Sequence, residues 1–156
     1  MIVSLEELRE ARKLAEICKE ELRAEGKAFD ENMKVGMMME TPASVILAEE
    51  FAGEADFFSI GTNDLTQYLL AADRSNPRLA GLCDDFHPAV LKAIGQIIKA
   101  GRKAGIPVGM CGEMAGNPKA TALLLDMGLS EFSMAPGSMD YVRKEILDYP
   151  RESWKK

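Results

Sequence analysis

Aromatic residues make up only 6% of the 156-residue sequence, and no apolar run approaches the ~20 residues needed to cross a bilayer. Met1-Ile2-Val3-Ser4 opens the chain without the basic and apolar regions of a signal peptide, so a cytoplasmic protein is expected. No basic run is long enough to track a phosphate backbone. With 19 Lys plus Arg against 25 Asp plus Glu, the net charge of -6 argues against nucleic acid as a partner. The three cysteines, Cys18, Cys83 and Cys111, are odd in number and show no CxxC spacing, which excludes a disulfide framework and a thiolate metal cluster. GxGxxG, Walker A and HExxH motifs are all missing, so a Rossmann dehydrogenase and a P-loop kinase lose ground. Low-complexity tracts, repeats and flexible linkers are missing too, and a single domain over residues 1–156 is expected.

What is present is an alternation. Apolar residues are 47% of the chain and charged ones 28%, a normal balance for a packed core. Ser4 and Glu7 form a capping-box pattern, and Leu5, Leu8, Leu14, Ala15, Cys18 and Leu22 then recur at helical spacing. This predicts a helix over 4–25, with Met1-Ile2-Val3 as the tail of a strand and Cys18 buried on the apolar stripe. Four short apolar runs follow, Val35–Met39, Phe57–Ile60, Val108–Cys111 and Phe132–Ala135, each reading as a buried strand. Between them, helices are expected near 43–52, 89–104 and 118–127. The last is framed by Asn117 at the cap, Pro118 in the first turn and Gly128 past the end. The interval after the second strand is about twice the others and predicts a long loop from Gly61 to His87. Alternating strands and helices mean an α/β fold of parallel units. Four such units make either a small doubly wound sheet or about half of a (β/α)8 TIM barrel, a fold of ~250 residues when complete.

Reactive residues gather where these strands end, which is where parallel α/β folds build their sites. Glu40 follows the first strand, Asn63 and Asp64 the second, and Cys111 and Glu113 the third. On adjacent strands, Glu40 and Asp64 either supply two oxygen ligands to a hard cation such as Mg2+ or serve to cap helices and loops. Cys111 lies between glycines in Gly109-Met110-Cys111-Gly112-Glu113, and reads as a proton donor or as a small buried hydrophobe. Arg74 could grip a phosphate or carboxylate, or form a surface salt bridge to Asp73 or Asp84. His87 is the sole histidine and directly precedes Pro88, so it reads as the residue that opens a helix rather than a phosphoryl carrier. Met37-Met38-Met39 reads as strand core, since thioethers favour soft ions and the neighbouring ligands are carboxylates.

Four segments carry a resemblance: Met38-Met39-Glu40-Thr41-Pro42, the stretch from Asp56 through Gly61-Thr62-Asn63-Asp64-Leu65-Thr66-Gln67 to Tyr68, Ala72-Asp73-Arg74-Ser75-Asn76-Pro77, and Gly109 through Cys111-Gly112-Glu113 to Gly116. Together and in this order they closely resemble the C-terminal region of the enzyme I family, the phosphoenolpyruvate–protein phosphotransferases of bacterial sugar uptake. Pyruvate phosphate dikinase and phosphoenolpyruvate synthase share some of these elements. The resemblance implies a barrel that binds phosphoenolpyruvate and passes its phosphoryl group to a histidine on a separate N-terminal domain, then to the carrier HPr, releasing pyruvate. It further implies that Glu40 and Asp64 ligate Mg2+, that Asn63 and Arg74 hold the phosphoryl end, and that Cys111 protonates the methylene carbon of enolpyruvate. Substrate-gripping arginines on the earlier half of such a barrel, and the phosphohistidine, are not among these residues. The chain thus matches roughly the second half of the barrel and is expected to be inactive toward HPr alone. Open strand edges should favour a homodimer or other self-association, and a purely dimer-forming, non-catalytic module is the alternative from another class.

Overall fold

The computed structural model describes residues 1–150; the last six positions of the expected domain lie outside the described residues. Four βα units follow a leading helix. Helix α1 spans Leu5–Ala24 and strand β1 Met37–Met39; α2 (Pro42–Ile46) and α3 (Ala48–Ala52) lead to β2, Phe58–Gly61. Helices α4 (Thr62–Leu70) and α5 (Pro88–Ala104) precede β3, Val108–Cys111, and α6 (Pro118–Met127) precedes β4, Glu131–Phe132; α7 spans Pro136–Asp148. All strand pairs are parallel, in the order β1-β2-β3-β4, with Met38 opposite Ser59, Ser59 opposite Gly109 and Gly61 opposite Cys111. A doubly wound sheet reverses its strand order at a switch point. This sheet does not, so the units form about half of a (β/α)8 barrel.

Period-2 alternation divides the sheet into two unlike faces. Met37, Met39, Phe58, Ile60, Val108 and Met110 are buried against Phe51 of α3, Leu65 of α4, Ile94, Ile97 and Ile98 of α5 and Leu124 of α6. Each such side chain contributes about 1.5–3 kcal/mol by leaving water, which makes this helix-covered face the main stabilising layer. The opposite face carries Met38, Ser59, Cys111 and Glu131, all exposed or half-buried. Parallel sheets are normally covered on both faces; this second face is the one a closed barrel turns inward.

Local signals explain most helix ends. Ser4 Oγ accepts from the Glu7 N–H at 3.2 Å, Thr41 and Ser44 form a reciprocal capping box before Pro42, and Asn117 caps α6. Other expectations need correction. The single helix over 43–52 is two, because Leu47 leaves helical conformation (φ −96°, ψ 21°) and lets both short helices turn small or apolar residues inward. The loop after β2 begins with α4, which starts directly at the strand end. Strand β4 has two residues rather than 132–135, extended only by the Ser133 N–H donating to the Met110 carbonyl at 2.9 Å. Met1–Val3 forms no strand.

On α1 the inward face runs Leu5, Leu8, Arg12, Ala15, Lys19 and Leu22, while Leu14 is 61% exposed and Cys18 is exposed rather than buried. Beyond Leu8 this face meets polar partners. Arg12 donates to the Val35 carbonyl and pairs with Asp56, and Lys19 pairs with Glu16 and donates to the Glu31 carbonyl. Asp56 also accepts from the Val35 N–H at 2.7 Å, and that bond, followed by the Arg12 and Lys34 charges, holds its carboxyl below the usual range. Among the described residues no helix is long and apolar enough to cross a membrane.

Candidate functional site at the carboxyl ends of the strands

Glu40 is the first residue past β1, and only 13% of its side chain is exposed. It leans toward the next strand, so that a Cβ added at Gly61 would lie 3.1 Å from both Glu40 Oε2 and Met38 Sδ. Glycine at 61 therefore admits these two side chains over β2. Because Gly61 is paired with Cys111, Glu40, Met38 and Cys111 occupy one continuous patch. Cys111 Sγ is 3.6 Å from Met38 Sδ and 3.7 Å from Ser59 Oγ, and the thiol is half-buried on the open face. Glu40 Oε1 also lies 3.8 Å from the amino terminus of Met1.

The first turn of α4 supplies the next residues. Asn63 Oδ1 accepts the Glu113 N–H at 3.1 Å, joining the end of β2 to the turn after β3. Asp64 pairs with Arg74 across 3.2 Å. Arg74 does not take Asp73 or Asp84, the partners expected from sequence; those carboxylates accept within their own turns, Asp73 from the Ser75 N–H and Asp84 from the Phe86 N–H. Its backbone is fixed separately, by its N–H donating to Gln67 Oε1 at 3.1 Å. The loop carrying Arg74 is thus folded back onto α4.

Two further groups at this end carried no local signal in sequence. Thr66 Oγ1 donates to Asp85 at 2.5 Å, pinning the second half of the loop to α4. Burial, then the Glu113 and Asp84 charges, push the Asp85 carboxyl above its ordinary range, with the Thr66 bond opposing. His87 Nδ1 accepts the Ala89 N–H at 3.2 Å and caps α5, as its place before Pro88 suggests. Cys83 is half-buried and donates to the Ala72 carbonyl at 3.2 Å.

Glu40, Asn63, Asp64, Arg74 and Cys111 therefore all lie at one end of one sheet. Among the described residues, no three His, Cys, Asp or Glu side chains converge as a complete metal cage. The donor chemistry nonetheless fits a hard divalent ion, since such ions are commonly held by one or two carboxylates with water and an anionic ligand completing the shell.

A partial parallel α/β barrel, with its polar side chains gathered at the carboxyl ends of the strands, is the class that this fold defines. The family model described as "PEP-utilising enzyme, PEP-binding domain" matches residues 1–150, and the chain belongs to that family. Among its relatives is a phosphoenolpyruvate-protein phosphotransferase of Haemophilus influenzae, 52% identical over 146 residues, covering 94% of this chain and 25% of the relative. One from Bacillus sp. (strain S) is 47% identical over 152 residues, covering 97% and 26%. The chain thus spans about a quarter of the length of the curated relatives it matches. In fold it is similar to an aldolase/citrate lyase family protein from Burkholderia cenocepacia, with a TM-score of 0.50 and 23% identity over 71% of this chain and 40% of that one.

Proposed function

We propose that this chain forms the metal-binding and proton-donating side of a phosphoenolpyruvate site in a cytoplasmic phosphoenolpyruvate–protein phosphotransferase. The phosphoryl group would pass to a histidine outside these 156 residues and then to HPr of the sugar phosphotransferase system, leaving pyruvate. One observation carries this reading: Glu40, Asp64, Asn63 and Cys111 come from the ends of three successive parallel strands to one end of the sheet, in a chain about half identical to phosphotransferases.

Phosphoryl transfer asks the protein mainly for positioning and charge neutralisation. Glu40 and Asp64 would hold Mg2+, which when bound neutralises charge on the phosphoryl oxygens. Asn63 has its carbonyl oxygen taken by the Glu113 N–H, which leaves its amide NH2 to donate to an anion. Arg74 presents a planar fork suited to bidentate contact with a phosphoryl group, and Asp64 fixes where that fork points. Departure of the phosphoryl group leaves an enolate. Cys111 would then give its thiol proton to the methylene carbon: the S–H bond breaks, a C–H bond forms, and the thiolate is reprotonated from water.

Mn2+ binding followed by electron paramagnetic resonance tests this on the 156-residue chain itself. Binding that is tightened by phosphoenolpyruvate and lost in both Glu40→Gln and Asp64→Asn is expected. Binding unchanged in both variants would overturn the metal assignment. Phosphoryl transfer to pyruvate phosphate dikinase substrates rather than HPr, once the remaining domains are supplied, would move the protein to that neighbouring branch. A role in assembly is a second part of the reading, supported by exposed Met139, Tyr141 and Leu147 on α7 and Leu14 on α1.

A further inference from the structure

The Cys111 thiol meets the Met38 sulfur at 3.6 Å and the Ser59 hydroxyl at 3.7 Å, long contacts that do not fix its position strongly. Its backbone is held differently. Thr62 is fully buried, and its Oγ1 donates to the Cys111 carbonyl at 3.4 Å. Gly112 follows at φ +99°, and a Cβ there would stand 2.7 Å from Thr62 Oγ1 and 3.1 Å from Asn63 Oδ1. Glu113 closes the turn by donating its N–H to Asn63. All three residues of the turn therefore rest on the first turn of α4, about 50 residues earlier in the chain. A side chain at 112 would be strained by the positive φ and would also lift the turn off its seat.

We propose that Thr62 is a positioning residue for Cys111: its hydroxyl and the missing side chain of Gly112 set where the thiol stands on the open face. The catalytic consequence rests on the role proposed above for Cys111, whereas the positioning itself does not. Thr62 touches the main chain of Cys111 and would act only through it.

The test is iodoacetamide alkylation of the folded chain at fixed pH, with peptide mapping to follow each cysteine separately. Exposed Cys18 and half-buried Cys83 serve as internal references. Thr62→Val keeps the shape and removes the oxygen, Thr62→Ser keeps the oxygen, and Gly112→Ala presses on the same contact from the side of the turn. Expected is a change of roughly threefold or more in the Cys111 rate relative to Cys18 in Thr62→Val and Gly112→Ala, with Thr62→Ser near the parent and Cys83 unmoved. An unchanged Cys111 ratio in both altered variants would overturn the proposal. So would an equal change in Thr62→Ser, or a parallel rise at Cys83 that signals general loosening. Should Thr62→Val fail to fold, Thr62→Ala, which removes the same oxygen, takes its place. Protection of Cys111 by phosphoenolpyruvate in the parent chain is scored separately: its absence, with the ratios shifting as expected, would sink the substrate reading and leave the positioning intact.

Discussion

Asp85 accepts a proton more readily in the folded protein than in the unfolded chain, because burial and the Glu113 and Asp84 charges outweigh the Thr66 hydrogen bond. A raised folded-state value means the group's contribution is most favourable below the unfolded carboxylate pKa of about 3.9 and is lost as pH rises through the folded one. Asp85→Asn keeps an oxygen to accept from Thr66 and cannot ionise. Its stability relative to the parent should therefore improve between acid and neutral pH, as read from paired thermal melts; a difference flat with pH would contradict this. Asp85 was invisible in sequence because its partner Thr66 lies 19 residues away in another element. Arg74, by contrast, was legible as a residue able to form a salt bridge, and it forms one with Asp64. Its partner was not, since nothing in the string shows that Asp73 and Asp84 spend their carboxylates on their own turns. The exposure of Cys18 had no sequence signal either: Leu14 and Cys18 share a helical spacing, but the face that packs is the one on which Arg12 meets Asp56 and Lys19 meets the Glu31 carbonyl.

At the scale of elements, the contact of α5 with β3 is governed by Gly101. An added Cβ would meet Val108 Cγ2 at 2.3 Å, so Gly101→Ala must push the helix outward or force the valine off its rotamer. Overpacking of this kind costs about 1–3 kcal/mol, and denaturant unfolding should show a lowered midpoint with an unchanged slope. The well-capped helices were legible. Asn117-Pro118 and Gly128 announce the two ends of α6 by hydrogen-bonding chemistry that is local to the chain. Helix α4 was missed for the opposite reason. Gly61-Thr62-Asn63-Asp64 is rich in turn-forming residues and reads as loop, yet Leu65 and Leu69 behind it pack on the core and continue the chain as helix without a break. Helix α7 was missed too; only Val142 of its residues is buried, so the apolar periodicity that announces a helix is weak there.

For the whole molecule, the strand spacing in the sequence was enough to leave two architectures standing, and the order β1-β2-β3-β4 selects between them. Spacing carries no information about lateral order, which is why the string alone left the doubly wound sheet open. Within the described residues, β1 and β4 each present an unpaired edge, and Met38, Ser59 and Cys111 remain uncovered between them. Unpaired parallel edges beside a half-covered face favour association. Light scattering should accordingly report a species larger than a monomer that grows with concentration, and a strictly monomeric chain at high concentration would refute this. The sequential strand order has one more consequence, for the ribosome. Among the described residues, each strand from β2 onward pairs with the one made just before it, so none has to be inserted between strands already paired. The nascent chain can lay down its sheet strand by strand at the pace of translation, and Thr62 and Asn63 stand ready before Cys111 emerges.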